Sequence, residues 1–272
     1  MRLNRRTLLK FSIGGILSAP SPLFAAAPRG EENRAFEELL ARYLAQGNDG
    51  INRVDYARWH ASAADRSRLA GYIAALAGKR PSAMARNDAF AFWANLYNAA
   101  TLNVVIDNYP VRSIRDIKSV TSLFDIKGLI GPWRTKIATV ENRPVSLDDI
   151  EHEIMRPTFK DPRVHYAVNC ASIGCPNLVP QAWRPETLEK DLDAAARTFI
   201  NHPRGAWVGP DGSLRVSSIY KWFKEDFGGT DAGVIAHLRK YAGPELLAKL
   251  PAHARSFSDD YDWSLNEVRR RG

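Results

Sequence analysis

The segment over residues 87–109 constrains the fold more than any other, because its side chains are apolar on nearly every face of a helix. It reads NDAFAFWANLYNAATLNVVIDNY, and the next residue, Pro110, cannot continue a helix. Either Asn87 or Asp88 is suited to cap its start. A helix of this kind is normally buried at the centre of its domain. We therefore predict one central helix around which the rest of the chain is built.

The remaining patterns predict further helices and short strands around this centre. Helices are expected over residues 31–46, 65–77, 185–201, 219–228 and 231–241. Short strands are expected over residues 54–56, 133–139, 143–145, 163–169, 207–208, 214–216 and 256–263. The sequence has no internal repeat and no long linker. It therefore predicts a single α+β domain over residues 28–272, with the central helix packed on a small, mostly antiparallel sheet.

Residues 1–27 have the composition of an export signal ahead of this domain. A basic start that includes Arg5 and Arg6 precedes a short apolar stretch and then small residues. The segment NRRTLLK at 4–10 resembles a twin-arginine signal. A general secretory signal or an uncleaved anchor is the alternative. We expect a periplasmic or secreted protein that engages the export machinery and keeps no stable membrane anchor after the signal is removed.

The net charge argues against a nucleic-acid partner. The whole chain carries 38 basic and 30 acidic residues, a formal charge of +8. The predicted signal holds four of the basic residues and no acid, so the remainder carries 34 basic residues against 30 acidic ones, or +4. With 45% hydrophobic and 25% charged residues, the whole chain has the balance of a globular protein, and the remainder shows no basic stripe.

The two cysteines lie in the densest cluster of reactive side chains, HYAVNCASIGCP at 165–176. A thiol there becomes a nucleophile where a histidine or a helix N-terminus lowers its pKa. On the predicted strand, His165 and Cys170 point to opposite faces because side chains alternate. Either a bulge redirects Cys170, or the following turn brings Cys175 over His165.

Three roles for the cysteine pair are open. In an oxidising periplasm, Cys170 and Cys175 can close a small loop as a disulfide. A free reactive thiol is the second role. Metal ligation with His165 and His152 is the third, but C-x-x-C and H-x-x-x-H spacings are absent from the sequence, so we predict no metal and no cofactor.

A second reactive cluster follows the sequence SLDD at 146–149, which is typical of a capping box at a helix start. Asp148 lies one turn before His152, and Arg156 lies one turn after it, so a carboxylate can orient the imidazole. Glu151 falls on the side of the helix that is expected to face the core, where its carboxylate would need a partner. The alternative interpretation is that these acids only occupy the first turn of a solvent-exposed helix, where acidic residues are favoured.

The central helix carries two amides, Asn95 and Asn98, on one face. Buried amides need hydrogen-bond partners. They either pin neighbouring loop backbone or orient a substrate or a catalytic imidazole.

Six segments, taken in order, resemble a known family. They are GINRVDY at 50–56, AFWANLYNA at 91–99, YPVRSIRDI at 109–117, SLDDIEHEIMR at 146–156, RVHYAVNCASIGCPNL at 163–178 and YDWSLN at 261–266. From about Phe36 to Asn266 the chain is similar to the family named domain of unknown function 547. The family pattern has an aliphatic residue at Ala94 and glycine at Ala171.

The resemblance implies where the polar signature residues lie but not an activity. They correspond here to Asn95, Asn98, Glu151, His152, His165, Cys170 and Cys175. A central helix beside a sheet that carries a His and a Cys is analogous to a rearranged papain or transglutaminase core, and such an analogy does not fix function.

Two functions follow as predictions. The first is a thiol-dependent hydrolase or transferase for amide or ester bonds of a small-molecule or peptide-like envelope substrate. Its nucleophile is Cys170 or Cys175, its base is His165 or His152, and Glu151 orients that base while Asn95 and Asn98 hold the site. The second is a non-enzymatic periplasmic binding or assembly protein with a structural Cys170–Cys175 disulfide.

Overall fold

Helix α4, Arg86–Asp107, is the buried central helix that the sequence predicts. It starts just before Asn87, and its N-cap position, Ala85, makes no side-chain capping bond. Among the residues that the structure describes, it is the one helix long and apolar enough to cross a membrane, and 83% of that stretch is buried inside the protein. Burial of this extent identifies it as the core helix.

The computed structural model describes residues 31–118, 131–251 and 256–268, and the predicted export signal at 1–27 lies outside them. The described chain confirms a single α+β domain. Besides α4, its α-helices are α1 Glu31–Tyr43, α2 Tyr56–Ala61, α3 Ala63–Ala77, α5 Arg156–Phe159, α6 Val164–Ala167, α7 Leu188–Ile200, α8 Ile219–Trp222, α9 Asp231–Tyr241 and α10 Pro244–Lys249. A π-helical segment, Asp149–Met155, leads directly into α5.

The strands form three small sheets rather than the single sheet predicted. Strands β1 and β2 pair antiparallel, as do β3 and β4, while β5, β6 and β7 form a three-stranded sheet in which β6 and β7 run parallel. Each strand is only three to five residues long. Their bounds are β1 Leu44–Gln46, β2 Asn52–Val54, β3 Lys136–Val140, β4 Arg143–Ser146, β5 Ala206–Val208, β6 Leu214–Ser217 and β7 Ser258–Asp260.

Two hydrophobic clusters fill the domain. The larger one surrounds α4 and includes the buried faces of α1 and α3. The smaller one lies among α7, α9 and the sheet of β5 and β6. The segment that carries the cysteines runs between them, since Val168 belongs to the larger cluster and Tyr166 to the smaller.

The predicted strand over 163–169 is wrong, because this segment begins with the helical turn α6. Asp161 starts the turn, since its carboxylate accepts the backbone N–H of Arg163 at 2.8 Å and its carbonyl accepts that of Val164 at 3.1 Å. Local capping thus outweighs the β preference of the valines. The prediction that His165 and Cys170 point to opposite faces of a strand therefore falls away.

The C-terminal segment over 261–268 lies across the cysteine loop and ties it to the N-terminal part of the chain. Ile173 N–H donates to Ser264 O at 2.8 Å, and Asn266 N–H donates to Ala171 O at 3.0 Å. On its other side, Val54 N–H donates to Asn266 O at 2.8 Å. Two motifs from opposite ends of the chain, 50–56 and 261–266, thus meet beside the cysteines.

Candidate active site

One pocket of about 250 Å³ gathers the predicted catalytic residues. It opens where the two hydrophobic clusters meet, and α4, the π-helical segment, the cysteine loop, α8 and the C-terminal segment all contribute to its lining. All five predicted catalytic side chains line it: Glu151, His152, His165, Cys170 and Cys175. The sequence therefore identified residues from two separate segments that the fold brings together.

The Cys170 sulfur is surrounded by hydrogen-bond donors. Its Sγ lies 2.8 Å from Cys175 Sγ, 2.9 Å from Ser172 Oγ and 3.1 Å from Tyr261 Oη. Each of these groups can donate a hydrogen to a thiolate. Cys170 is half-buried and lines the pocket, whereas Cys175 is only 5% exposed.

These contacts move the pKa values of the two thiols in opposite directions. The hydrogen bond from Cys175, helped by those from Ser172 and Tyr261, lowers the pKa of Cys170 against the opposing effect of burial. Burial, and next the hydrogen bond and negative charge of Cys170, hold the pKa of Cys175 well above its usual value. Of the pair, Cys170 is therefore the sulfur that ionises first, and Cys175 keeps its proton when Cys170 is a thiolate.

Both cysteines are free. Their sulfurs are 2.8 Å apart, longer than the bond of about 2.05 Å in a disulfide. The structural disulfide of the alternative prediction is therefore not present in the structure. Among the described residues, no group of three or more potential ligands is arranged to hold a metal ion.

The amides of α4 hold the loop around the cysteines, which is the first of the two roles considered for them. Asn98 Nδ2 donates to Ala167 O at 2.9 Å, and its Oδ1 accepts the N–H of Asn169 at 2.9 Å. Asn95 makes the same pair of bonds to the backbone of Trp183. Both amides are 3% exposed and bind backbone, so they position the loop rather than face the pocket.

His165 lies between two carboxylates beneath the pocket. Its Nε2 is 2.7 Å from Asp226 Oδ2, and its Nδ1 is 3.6 Å from Glu151 Oε1. Arg156 Nε donates to the same Asp226 oxygen at 2.6 Å. The imidazole also stacks on Phe223, with ring centroids 4.4 Å apart.

The two carboxylates favour the protonated form of His165. Burial by itself lowers the pKa of the imidazole, but hydrogen bonds and charge from Asp226 and Glu151 outweigh it and raise that pKa. Conversely, burial raises the pKa of the Glu151 carboxyl. Hydrogen bonds and charge from three neighbours more than offset burial, so the pKa is lowered overall. These neighbours are His165, His152 and Tyr97. The two carboxylates thus extend the pH range over which His165 is an imidazolium.

Residues 81–200 match the model of a family described as "Protein of unknown function, DUF547". The chain is similar to that family over this segment. The match contains α4, the π-helical segment and the cysteine loop, and therefore all seven signature residues that the resemblance placed. The motifs at 50–56 and 261–266 lie outside it. No curated protein and no solved structure matches the chain, so the papain or transglutaminase analogy stays a prediction.

Within the DUF547 segment, the backbone at Ala171 is in the left-handed region, with φ of 62°. This region favours glycine, which is the residue that the family pattern has there. Three residues later, Gly174 allows a close approach, because a Cβ at this position would lie 2.9 Å from Asp262 N and from the ring of Tyr261. A larger residue at Gly174 would displace the hydroxyl donor of Tyr261 from the thiolate.

His152, also in the DUF547 segment, lies at the edge of the pocket rather than next to the sulfurs. Its Nε2 is 3.9 Å from Asp148 Oδ1, and its Nδ1 is 3.4 Å from Arg156 Nη1. Both neighbours are those that the helical spacing predicts. The ring also packs on Phe223, with centroids 5.3 Å apart.

Aromatic residues from three different segments form one wall of the pocket mouth. Trp222 stacks on Trp263 with ring centroids 5.5 Å apart, and Trp133 meets Trp263 edge to face at 5.8 Å. Trp222 is 47% exposed, unusually open for a large apolar side chain. The wall offers an apolar surface next to the thiolate.

Sequence reasoning missed three polar side chains of the site. Ser172 and Tyr261 donate to the sulfur, and Asp226 binds His165. Tyr261 belongs to the family-like motif at 261–266, which was the one available signal for it. Asp226 lies on a short 3₁₀ turn after α8, where the sequence gives no sign of a site.

Replacing Asp226 by Asn is expected to destabilise the protein more in acid than in alkali. Because its folded pKa is raised, protonated His165 contributes stability that is fully present below its unfolded pKa of about 6.5 and is lost as the pH rises through the folded value. The neutral amide removes part of this contribution. The loss in free energy of unfolding should be about 1 kcal/mol larger at about pH 5.5 than at about pH 9 by urea titration.

The matched control is Asp259→Asn, because Asp259 bonds Lys221 and Ser218 and no histidine. Both aspartates have lowered pKa values, and their own contribution is constant above an unfolded pKa of about 3.8. The control should therefore lose equal stability at both pH values. Equal losses for Asp226→Asn would contradict the assigned charge state of His165.

Proposed function

We propose that the protein is an exported thiol-dependent hydrolase or transferase that acts on amide or ester bonds, with Cys170 as the nucleophile. The observation that carries this proposal is the half-buried Cys170 in the pocket, because its sulfur can accept hydrogen bonds from Cys175, Ser172 and Tyr261. Such donors stabilise the thiolate, which is the nucleophilic form of cysteine.

In the proposed reaction, the thiolate attacks the carbonyl carbon of a substrate that lies between Cys170 and His165. His165 passes the proton on Nδ1, which lies 3.6 Å from Glu151 while Nε2 stays bonded to Asp226, to the departing amine or alcohol, and a thioester remains on Cys170. Water then completes hydrolysis, or a second amine or alcohol completes transfer. Glu151 and Asp226 orient the imidazole and favour its protonated form before each cycle.

The hydroxyls around the sulfur have a second use in this scheme. Once the sulfur bonds to carbon, Ser172 and Tyr261 no longer face a thiolate and become donors beside the developing oxyanion. The Ser172 and Tyr261 hydroxyls also lie 3.0 Å from each other, so they present a paired donor group. The site can thus stabilise negative charge first on sulfur and then on oxygen.

Pocket size and lining favour a small-molecule or peptide-like substrate. A volume of about 250 Å³ accommodates an acyl group and a few neighbouring atoms, and the wall of Trp222 and Trp263 favours an apolar group there.

The envelope location rests on the signal-like sequence at 1–27. Cell fractionation of an Arg5→Lys, Arg6→Lys double variant tests it, because unchanged export would exclude twin-arginine targeting.

A burst experiment with activated esters tests the proposed activity. Mixing the protein with p-nitrophenyl esters of acetylated amino acids should release one equivalent of p-nitrophenol rapidly and leave an acyl group on Cys170, detected by intact mass and peptide mapping. The burst rate should be retained at neutral pH, below the ordinary thiol pKa of about 8.5.

Iodoacetamide alkylation at varied pH gives an independent readout of the same thiolate. Cys170 should react at neutral pH, while Cys175 should stay unmodified because it is buried and protonated. A protein with no ester burst, whose Cys170 is alkylated only at alkaline pH, would instead be the non-enzymatic binding protein.

A further inference from the structure

We propose that Cys170 and Cys175 form a redox-active dithiol that undergoes thiol–disulfide exchange with small disulfides. This is a two-electron activity in addition to acyl transfer. It shares with the proposed function only the nucleophilicity of Cys170, so the two can be tested separately. It also differs from the structural disulfide, since the reduced pair is the ground state and the oxidised pair forms during reaction.

The geometry places the two sulfurs ready for bond formation. Their separation of 2.8 Å exceeds the disulfide bond length of about 2.05 Å by less than one ångström. The backbone N–H of Cys170 also donates to Cys175 Sγ at 3.1 Å, which fixes the second sulfur beside the first. Side-chain rotation alone can therefore supply most of the closure.

The two cysteines are placed unequally, as a nucleophilic and a resolving thiol need to be. Both cysteines line the pocket, but Cys170 is half-buried while Cys175 is only 5% exposed. The lowered pKa of Cys170 and the raised pKa of Cys175 match this order of action. An external disulfide therefore meets first the sulfur that is more exposed and ionises more readily.

A buried cation beneath the loop favours the later ionisation of Cys175. Arg204 Nη1 donates to Ile173 O at 2.7 Å, and Nη2 donates to Asn177 Oδ1 at 2.6 Å. Its Nε is buried and has no hydrogen-bond partner among the described residues. Burial lowers the pKa of Arg204 to about 10, which leaves it charged at neutral pH, and a negative charge on Cys175 interacts favourably with it.

The proposed exchange has two steps. The Cys170 thiolate attacks one sulfur of a small disulfide RSSR, which forms a mixed disulfide on Cys170 and releases one thiolate RS⁻. That thiolate takes the proton of Cys175. The Cys175 thiolate then attacks Cys170 Sγ and expels the second RS⁻. The protein pair loses two electrons and becomes a disulfide, while RSSR gains them and becomes two thiol products.

The pocket selects a small disulfide as the oxidant. In the described part of the chain, the attacking sulfur faces a space of about 250 Å³ whose walls include Trp222, Phe223 and Trp263. A small organic disulfide can enter it, whereas a disulfide within a folded protein domain is held on a surface too broad for it. Oxidation joins the nucleophile to Cys175, so the oxidised protein should lose its acyl-transfer activity.

The test uses bis(2-hydroxyethyl) disulfide on the full-length protein and on Cys175→Ser, followed by intact mass and peptide mapping. The wild type should lose two hydrogens, carry no adduct and contain a Cys170–Cys175 disulfide. The Cys175→Ser variant keeps a hydroxyl donor beside Cys170, and its Cys170 should accumulate one disulfide-linked mercaptoethanol. The ester burst of the oxidised wild type should be at least about tenfold smaller than that of the reduced protein, and dithiothreitol should restore it.

Two outcomes would overturn the inference. One is a stable mercaptoethanol adduct on wild-type Cys170 without an internal disulfide. The other is no reaction with the disulfide although the ester burst is intact. The wild-type measurement decides the inference even where Cys175→Ser does not fold. If the internal disulfide forms but the ester burst is absent, the inference stands and the proposed acyl-transfer function fails.

Discussion

Cys170→Ser is expected to lower the rate of ester turnover at least about a thousandfold, with little change in the fold. Serine has nearly the same shape, but its hydroxyl stays protonated where the cysteine is a thiolate. The surrounding donors, Cys175, Ser172 and Tyr261, stabilise negative charge on sulfur and cannot ionise an alcohol at neutral pH. Steady-state turnover of the p-nitrophenyl esters, together with circular dichroism, measures both parts of this prediction.

The control for Cys170→Ser is another single-atom change away from the pocket. Ser213→Ala alters an exposed hydroxyl in the turn between β5 and β6, where Ser213 bonds Asp211. Its turnover should equal that of the wild type. If Cys170→Ser also turned over the ester at the wild-type rate, Cys170 would not be the nucleophile, and the hydrolysis would occur elsewhere.

Asn98→Leu is expected to lower the free energy of unfolding by about 3 kcal/mol. Leucine has the same branched arrangement of heavy atoms, but it removes the hydrogen bonds to Ala167 O and from Asn169 N. Trp183 Nε1 still donates to Ala167 O, so the main cost is the buried N–H of Asn169 without a partner. Because Asn169 directly precedes Cys170, alkylation of Cys170 by iodoacetamide should also slow.

Asn103→Leu is the matched control for this variant, on the same helix. The amide of Asn103 bonds the exposed side chain of Asp107 rather than backbone. Urea unfolding should show a change within about 0.5 kcal/mol for this variant. Similar stability losses for Asn98→Leu and Asn103→Leu would mean that Asn98 does not hold the cysteine loop.

Much of the local structure followed from the sequence because it depends on short-range physics. The capping box at 146–149 is present, since Ser146 N–H donates to the Asp149 carboxylate and Asp149 N–H donates to Ser146 Oγ. The hairpin of β5 and β6 and helix α7 also form, with α7 starting at Leu188 rather than at 185. Each of these signals lies within a few residues of the structure it predicts.

The segment before the cysteines shows where local signals misled. The alternation over 163–169 favours a strand, yet the capping bonds of Asp161 make a helical turn of Val164–Ala167. The Glu151 carboxylate, by contrast, was correctly expected to need a partner, and it finds Tyr97 and His165. The need for a partner was visible from burial, but the identity of the partner was not.

By itself, the sequence determined the central helix α4, the α+β class and the reactive residues that line the pocket, because apolar periodicity and clustered reactive side chains are local properties. Only the tertiary structure decided their chemistry. Tyr261 lies 91 residues from Cys170, and Asp226 lies 61 residues from His165, yet both are within 3.1 Å of those partners. Protonation depends on such distances, so the thiolate and the imidazolium follow from the fold rather than from any single motif.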